Sequence, residues 1–238
     1  LNNGKLRDAS PAEHEALIEI GGRVMVDYVL EALRGCEAVD RLLLVGPEEV
    51  RWHITTPNVE LIGGGSSMIE SMRIGLDHVP SEDKVLLVTG DIPLIKAEAI
   101  RDFLQRCHES HADIYYPVIT RQVSEGYYPG VRRTYVRLTE GVFTGGNLVL
   151  LQPVIVRDCH GLIEQAIEMR KKPLKLAQLL GARCFLKLLV NRLSIKEIED
   201  RVEQVMGFKG LAVITAYPEV GIDVDKPCDL ELARRVLS

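Results

Sequence analysis

A chain of 238 residues, 46% hydrophobic and 26% charged, has the length for a substantial core and the balance of an ordinary globular protein. Its net charge of −5 argues against nucleic acid as a partner. No apolar run reaches the roughly 18 residues of a transmembrane helix, and no secretory signal is visible, so a cytoplasmic location is expected. Five cysteines (Cys36, Cys107, Cys159, Cys184 and Cys228) lie far apart without a C-x-x-C pair. They point to reduced thiols rather than to a disulfide framework or a zinc knuckle.

In chain order, Val26, Val29, Leu30 and Leu33 recur at helical spacing and predict a helix over 22–34. A short strand over 41–45 closes in Gly46-Pro47, and a second over 58–62 runs into Gly63-Gly64-Gly65. Ile69, Met72 and Leu76 share one face of a helix expected over 66–78, with Ser66 or Ser67 as its N-cap. The continuous apolar run Val85-Leu86-Leu87-Val88 reads as a strand covered on both faces, as in a parallel sheet between helices. Pro93 ends that strand, and a helix follows over 96–111. Residues 112–118, rich in β-branched and aromatic types, predict another strand. Segments 135–138 and 142–151, joined by Thr139-Glu140-Gly141, predict a hairpin. Residues 153–207 read as helical almost throughout, broken at Pro173 and Gly181. A strand over 211–216 and a closing helix over 227–237 complete the chain. Strands alternating with helices imply an α/β three-layer sandwich with a mostly parallel central sheet. Without a linker or internal repeat, residues 1–238 read as a single domain with a helical insertion at about 153–207.

Chemistry gathers at the ends of these elements. Asp91 follows the apolar strand directly, and ligands of open α/β sheets bind at the carboxyl ends of strands. A carboxylate so placed suits Mg2+ beside nucleotide phosphates, or it caps the next helix. Asp223 and Asp225 are two apart, so an extended segment turns both to one face. There they repel unless a cation or donors intervene, or one of them caps the helix after Pro227. Three glycine loops offer close backbone approach. Asn3-Gly4-Lys5-Leu6-Arg7 brings two cations to a turn, or is a frayed terminus. Gly63-Gly64-Gly65-Ser66-Ser67 opens a helix. Thr144-Gly145-Gly146-Asn147 interrupts an apolar strand, where glycine marks a bulge or a nearby ligand. No G-x-G-x-x-G and no Walker A lysine motif is present, which disfavours dinucleotide and P-loop readings. His108 and His111 stand at i, i+3 without an apparent third zinc ligand and read as surface histidines.

These stretches, taken together, resemble the nucleotidyltransferases of glycosyltransferase-A fold, which include molybdenum-cofactor guanylyltransferases and the cytidylyltransferases. Gly4-Lys5-Leu6-Arg7 followed by Ala16-Leu17-Ile18-Glu19-Ile20-Gly21-Gly22-Arg23 is similar to the phosphate loop and its downstream L-x-x-x-G-G-x-P. Residues 64–76 resemble G-G-x-x-R-x-x-S-V-R-x-G-L, Thr89-Gly90-Asp91-Ile92-Pro93 the G-D-x-P metal site, and Asp223-Val224-Asp225-Lys226-Pro227 the terminal D-x-D-T-P. The resemblance implies transfer of an NMP from an NTP, CTP or GTP being favoured, to a small phosphorylated acceptor with release of pyrophosphate. It implies Mg2+ on Asp91 and Asp225, with Asp223 as a supporting or alternative ligand. Gly4, Lys5 and Arg7 would cradle the triphosphate, with Lys5, Arg7 and Asp91 as the catalytic set. Gly64, Gly65, Ser66, Ser71 and Gly90 would meet the nucleotide, and Gly146 and Asn147 the acceptor side.

The chain departs from the family at two cations. His14 and Glu15 stand where a Pro-Lys pair is usual, and Met68 stands where an arginine is usual. These departures favour, as an alternative, a noncatalytic nucleotide-binding protein of the same fold. A sugar-nucleotide glycosyltransferase is the other alternative, although its D-x-D would follow the central strand. Arg170, Lys171, Lys172, Lys175, Arg183, Lys187 and Arg192 concentrate cations in the helical insertion, beside a leucine-rich face that includes Leu176. A solvated basic face over a leucine core, a lid over an anionic acceptor, a homodimer surface and a patch on anionic lipid are all consistent with that pattern.

Overall fold

The computed structural model describes residues 5–81, 83–158, 169 and 172–237. Gly4 and most of 159–171, including Cys159, Arg170 and Lys171, lie outside the described residues, as does the side chain of Leu176. Two units are distinguished. One joins the stretch ending at His78 to Val88–Gln105 and to the stretch from Glu219 onward, and the other comprises Val79–Leu87 and Arg106–Pro218.

In the first unit, Gly21 and Gly22 take positive φ of 58° and 83°, the conformations a two-residue hairpin turn requires. They join β1 (Glu19–Ile20) to β2 (Arg23–Val24) in antiparallel pairing, and α1 (Met25–Arg34) follows at once. The expected helix therefore begins three residues late, because the Gly-Gly turn and β-branched Val24 keep the chain extended. Tyr28 on α1 donates its hydroxyl to the Ile20 carbonyl at 2.7 Å, tying helix to hairpin. β3 (Leu42–Gly46) and β4 (Val59–Gly63) pair in parallel, from Leu42↔Val59 to Gly46↔Gly63. Val24, Val26, Leu30 and Val50 form a buried cluster, with Leu44 and Val59 packed against it. Such side chains each contribute about 1.5–3 kcal/mol on burial. Ser67 caps α2 (Met68–Leu76) by accepting from the Glu70 N–H at 3.1 Å. A Cβ on Gly75 would sit 2.8 Å from Val45 Cγ2, so glycine is what admits α2 so close to β3. Helix α3 (Ala97–His108) follows the Asp91 segment.

The second unit carries a six-stranded sheet, of which only Val88 is assigned to the first. It contains β5 (Val85–Val88), β6 (Ile114–Thr120), β7 (Val136–Leu138), β8 (Gly141–Gly145), β9 (Leu148–Leu151) and β10 (Gly210–Thr215). The order is β5-β9-β6-β8-β7, with β10 pairing β6. The α/β class expected from the sequence holds, but strand direction is mixed. β6 is parallel to β10 and antiparallel to β8 and β9, and β7 is antiparallel to β8. The apolar run over 142–151 is not one strand. It bends at Gly145-Gly146, so β8 pairs the far end of β6 and β9 the near end. A short helix α4 (Arg121–Tyr127), capped by Thr120, was not expected. Beyond β9 come α5 (Pro153–Asp158), α6 (Pro173–Leu179), α7 (Ala182–Leu189) and α8 (Ile195–Met206). The anticipated breaks fall at Pro173 and Gly181, and Ser194 adds a third by forming a capping box with Glu197. Helix α9 (Pro227–Leu237) belongs to the first unit.

Candidate functional site

At the carboxyl end of β5 the chain enters Thr89-Gly90-Asp91. A Cβ on Gly90 would lie 3.3 Å from Val26 Cγ2, so this turn is set by close packing on α1. Ile92, Leu94 and Ile95 are buried and anchor the segment. Thr89 Oγ1 donates to Asp91 Oδ1 at 2.5 Å and orients the carboxylate. The Asp91 carbonyl accepts the Val224 N–H at 2.8 Å, which draws the Asp223-Val224-Asp225 strip alongside. Ile222 and Val224 are buried, holding the strip in place. At the next turn the Asp225 N–H donates to Asp229 Oδ2 at 3.3 Å, and Asp229 itself is buried in the first turn of α9.

Three carboxylates thereby converge: oxygens of Asp91, Asp223 and Asp225 all lie within 4.8 Å of one another. Asp223 is buried and the other two are half-buried. Burial raises the Asp91 pKa above the usual carboxylate value, Asp223 and Asp225 push it further up, and the Thr89 hydroxyl opposes them. Crowded like charges in a partly dry site favour a cation between them. The donors are all oxygen, the set that suits a hard divalent ion such as Mg2+ rather than zinc. No other such cluster occurs among the described residues, so His108 and His111 gain no third ligand.

The other expected residues sit as follows. Lys5 and Arg7 are exposed on either side of fully buried Leu6, whose carbonyl accepts from Ala9 and Ser10 N–H groups at 2.9 and 3.0 Å. The buried leucine pins the turn and leaves both cations outward. The Gly64 N–H donates to the Gly46 carbonyl at 3.0 Å, extending the β3–β4 ladder. The Gly65 N–H donates to Ser71 Oγ at 3.0 Å. Ser66 donates from both N–H and Oγ to Glu70 Oε2, at 2.6 and 2.5 Å. Those bonds, the Ser66 hydroxyl first, lower the Glu70 pKa. A Cβ on Gly65 would fall 2.3 Å from Glu70 Cγ, so the glycine makes room for this carboxylate. Glu70 was not singled out from the sequence, although S-x-x-E at a helix start was its signal. In the second unit, Gly146 donates its N–H to the Pro117 carbonyl at 2.9 Å and accepts from Tyr116 Oη at 3.0 Å, beside half-buried Asn147. Glu15 opens a 3-10 turn, Glu15–Leu17, and is half-buried.

Asp27 also escaped notice in the sequence. Its side chain has no exposed surface and accepts from the N–H and Oγ1 of both Thr55 and Thr56 at 2.5–3.0 Å, and from Arg23 at 3.0 Å. Burial pushes its carboxyl up, but the threonine donors outweigh that and hold it down at about 2.

A family model described as the MobA-like NTP transferase domain matches residues 12–192. The chain belongs to this family. Among solved structures, this NTP transferase domain is similar to a hypothetical transferase from Thermus thermophilus. Identity is 37%, the TM-score is 0.82, and the match covers 95% of this chain and 93% of the other. It shares its fold with 2-C-methyl-D-erythritol 4-phosphate cytidylyltransferase, also from Thermus thermophilus. That match has 16% identity and a TM-score of 0.56, and covers 94% of each chain. Among curated proteins it is 28% identical over 118 residues to the bifunctional protein GlmU of Alcanivorax borkumensis. That match takes in 46% of this NTP transferase chain and 25% of GlmU, so the chain spans a minor part of that relative's length. No helix among the described residues is long and apolar enough to cross a membrane.

Proposed function

We propose that this NTP transferase domain catalyses Mg2+-dependent nucleotidyl transfer. The observation that carries this reading is the convergence of Asp91, Asp223 and Asp225 at the end of β5. In the reaction an oxygen of the acceptor phosphate bonds to the α-phosphorus of an NTP. The bond from that phosphorus to the β-bridging oxygen breaks, and pyrophosphate leaves with the electron pair. Bound at the three carboxylates, Mg2+ would neutralise charge on the phosphates and hold them in line. Lys5 and Arg7 would bind the triphosphate, helped by backbone donors at Gly4 and Gly90. The loop Gly64-Gly65-Ser66 would frame the base. Because the Gly65 and Ser66 N–H groups are already bonded to Ser71 and Glu70, recognition there would fall to the loop carbonyls and the Glu70 carboxylate. Such acceptors suit an exocyclic amino group, which cytosine, guanine and adenine carry and uracil lacks. Within that set CTP or GTP is the favoured donor, because the motifs resemble those of cytidylyl- and guanylyltransferases. Gly146 and Asn147 are assigned to the acceptor side. The cytidylyltransferase whose fold it shares is named for a phosphorylated acceptor, which supports the same class here.

Glu15 and Met68 favour a second reading, a nucleotide-binding protein that does not transfer, since two family cations are absent. Loss of one such charge costs on the order of a hundredfold or more in rate. Pyrophosphate release decides between them, measured with each NTP, Mg2+ and a panel of sugar and polyol phosphates. Transfer predicts release with one base and one acceptor class, abolished in Asp91→Ala. Nucleotide binding without release in any combination would establish the second reading, and undiminished activity of Asp91→Ala would overturn the first.

A further inference from the structure

Residues 172–196 contain six cations (Lys172, Lys175, Arg183, Lys187, Arg192 and Lys196) and not one carboxylate, in a chain whose net charge is −5. Two of the six are neutralised nearby: Lys187 pairs with Glu197, and Lys196 with Asp200 at 2.7 Å. Lys172, Lys175, Arg183 and Arg192 are exposed and make no ion pair among the described residues.

Helix α7, in the middle of this stretch, is apolar on both sides. Its inner face sets Cys184 and Leu188 into a cluster with Leu180, Leu193, Ile198 and Val202. Its outer face presents Leu186, Leu189 and Val190, which are 60%, 53% and 62% exposed, with Arg183 one turn before Leu186. The preceding helix α6, packed against α7, adds Leu174 at 49% exposed and the neighbouring Lys175. The outer face of a surface helix is ordinarily polar. Contiguous exposed leucines mark an interaction surface, and cations around them state the charge of what is met.

We propose that the outer face of α7, with its flanking cations, docks on an anionic lipid bilayer. Leucine and valine side chains would enter the boundary between headgroups and acyl chains. Arginine and lysine stems would lie along the apolar surface while their heads reach phosphate. A second copy of this chain is a poorer occupant. A two-fold contact through this face would set the same cations against each other, with no carboxylate between 172 and 196 to answer them. An anionic leaflet supplies the opposite charge and an apolar interior together.

Flotation of the purified full chain with vesicles tests this proposal. Vesicles of phosphatidylcholine with about 30% phosphatidylglycerol should carry the protein, and pure phosphatidylcholine vesicles should not. Binding should weaken as salt rises from about 0.1 M to about 1 M. Replacing Lys175, Arg183 and Arg192 by glutamine should lower binding on the order of a hundredfold, about fivefold for each cation. The double variant Leu186→Ser, Leu189→Ser keeps every cation and should still lose flotation, with an unchanged melting temperature because both leucines are exposed. Equal flotation on the two vesicle types would overturn the proposal, as would none on either or full binding by the leucine variant. A mass that doubles with concentration in wild type but not in the leucine variant, without flotation, would assign the face to a second copy instead.

Discussion

Asp27 shows how one residue can hold two distant stretches together. Four donors from Thr55 and Thr56, with Arg23, fill a carboxylate that has no exposed surface. Its partners come from a loop well downstream, and an aspartate early in a helix reads in sequence as a solvated first-turn residue. Asp91, by contrast, was legible because an unbroken apolar strand ends on a glycine and a carboxylate. Removing one partner of a buried, hydrogen-bonded charge leaves the others unsatisfied, so Asp27→Ala should cost about 3 kcal/mol in urea unfolding. The sign of the pH effect follows from a lowered folded pKa. Asp27 contributes stability in full above its ordinary value of 3.8, and loses it as pH falls from there through about 2. Urea midpoints measured between pH 5 and pH 2 should fall less steeply in Asp27→Ala than in wild type.

At the scale of elements, apolar periodicity located the strands and helices, and glycines decided where it failed. The run over 142–151 looks continuous because both of its halves are apolar. Its bend depends on a residue from another strand, since Tyr116 lies where a Cβ on Gly145 would fall, 2.1 Å from the hydroxyl oxygen. The early hairpin was hidden for a related reason, as two-residue strands are too short to show alternation. Gly145→Ala should therefore destabilise by about 1–3 kcal/mol through overpacking. Tyr116→Phe removes the worst of the clash, so the double variant should lose less than the sum of the two single changes. A double-mutant cycle by thermal unfolding checks this coupling.

For the whole molecule, family membership and α/β class agree with what the ordered motifs implied. The mixed direction of the larger sheet was not legible, because direction depends on how connections cross and not on strand composition. The acidic site makes a prediction at this scale. A nucleotide with Mg2+ bound to the native state at about a hundred times its dissociation constant adds about 2.7 kcal/mol of stability. For a chain of this length that is a rise of roughly 5–10 °C in melting temperature. CTP or GTP with Mg2+ should produce the rise, EDTA should remove it, and Asp91→Asn should abolish it. Without metal, Asp91→Asn should melt above wild type, because one of three crowded charges is gone. A metal-free melting temperature at or below wild type would overturn this expectation.

The hydrogen bond from Val224 N–H to the Asp91 carbonyl also has a consequence for synthesis. The two sides of the acidic site lie far apart in sequence, with Arg106–Pro218 of the second unit between them along the chain. During translation the segment bearing Asp91 leaves the ribosome long before its partners exist. The nascent chain therefore carries half a cation site until residues 219–225 emerge and dock. Metal affinity would thus report completed assembly of the first unit, and a chain halted before Val224 would retain Asp91 without the site.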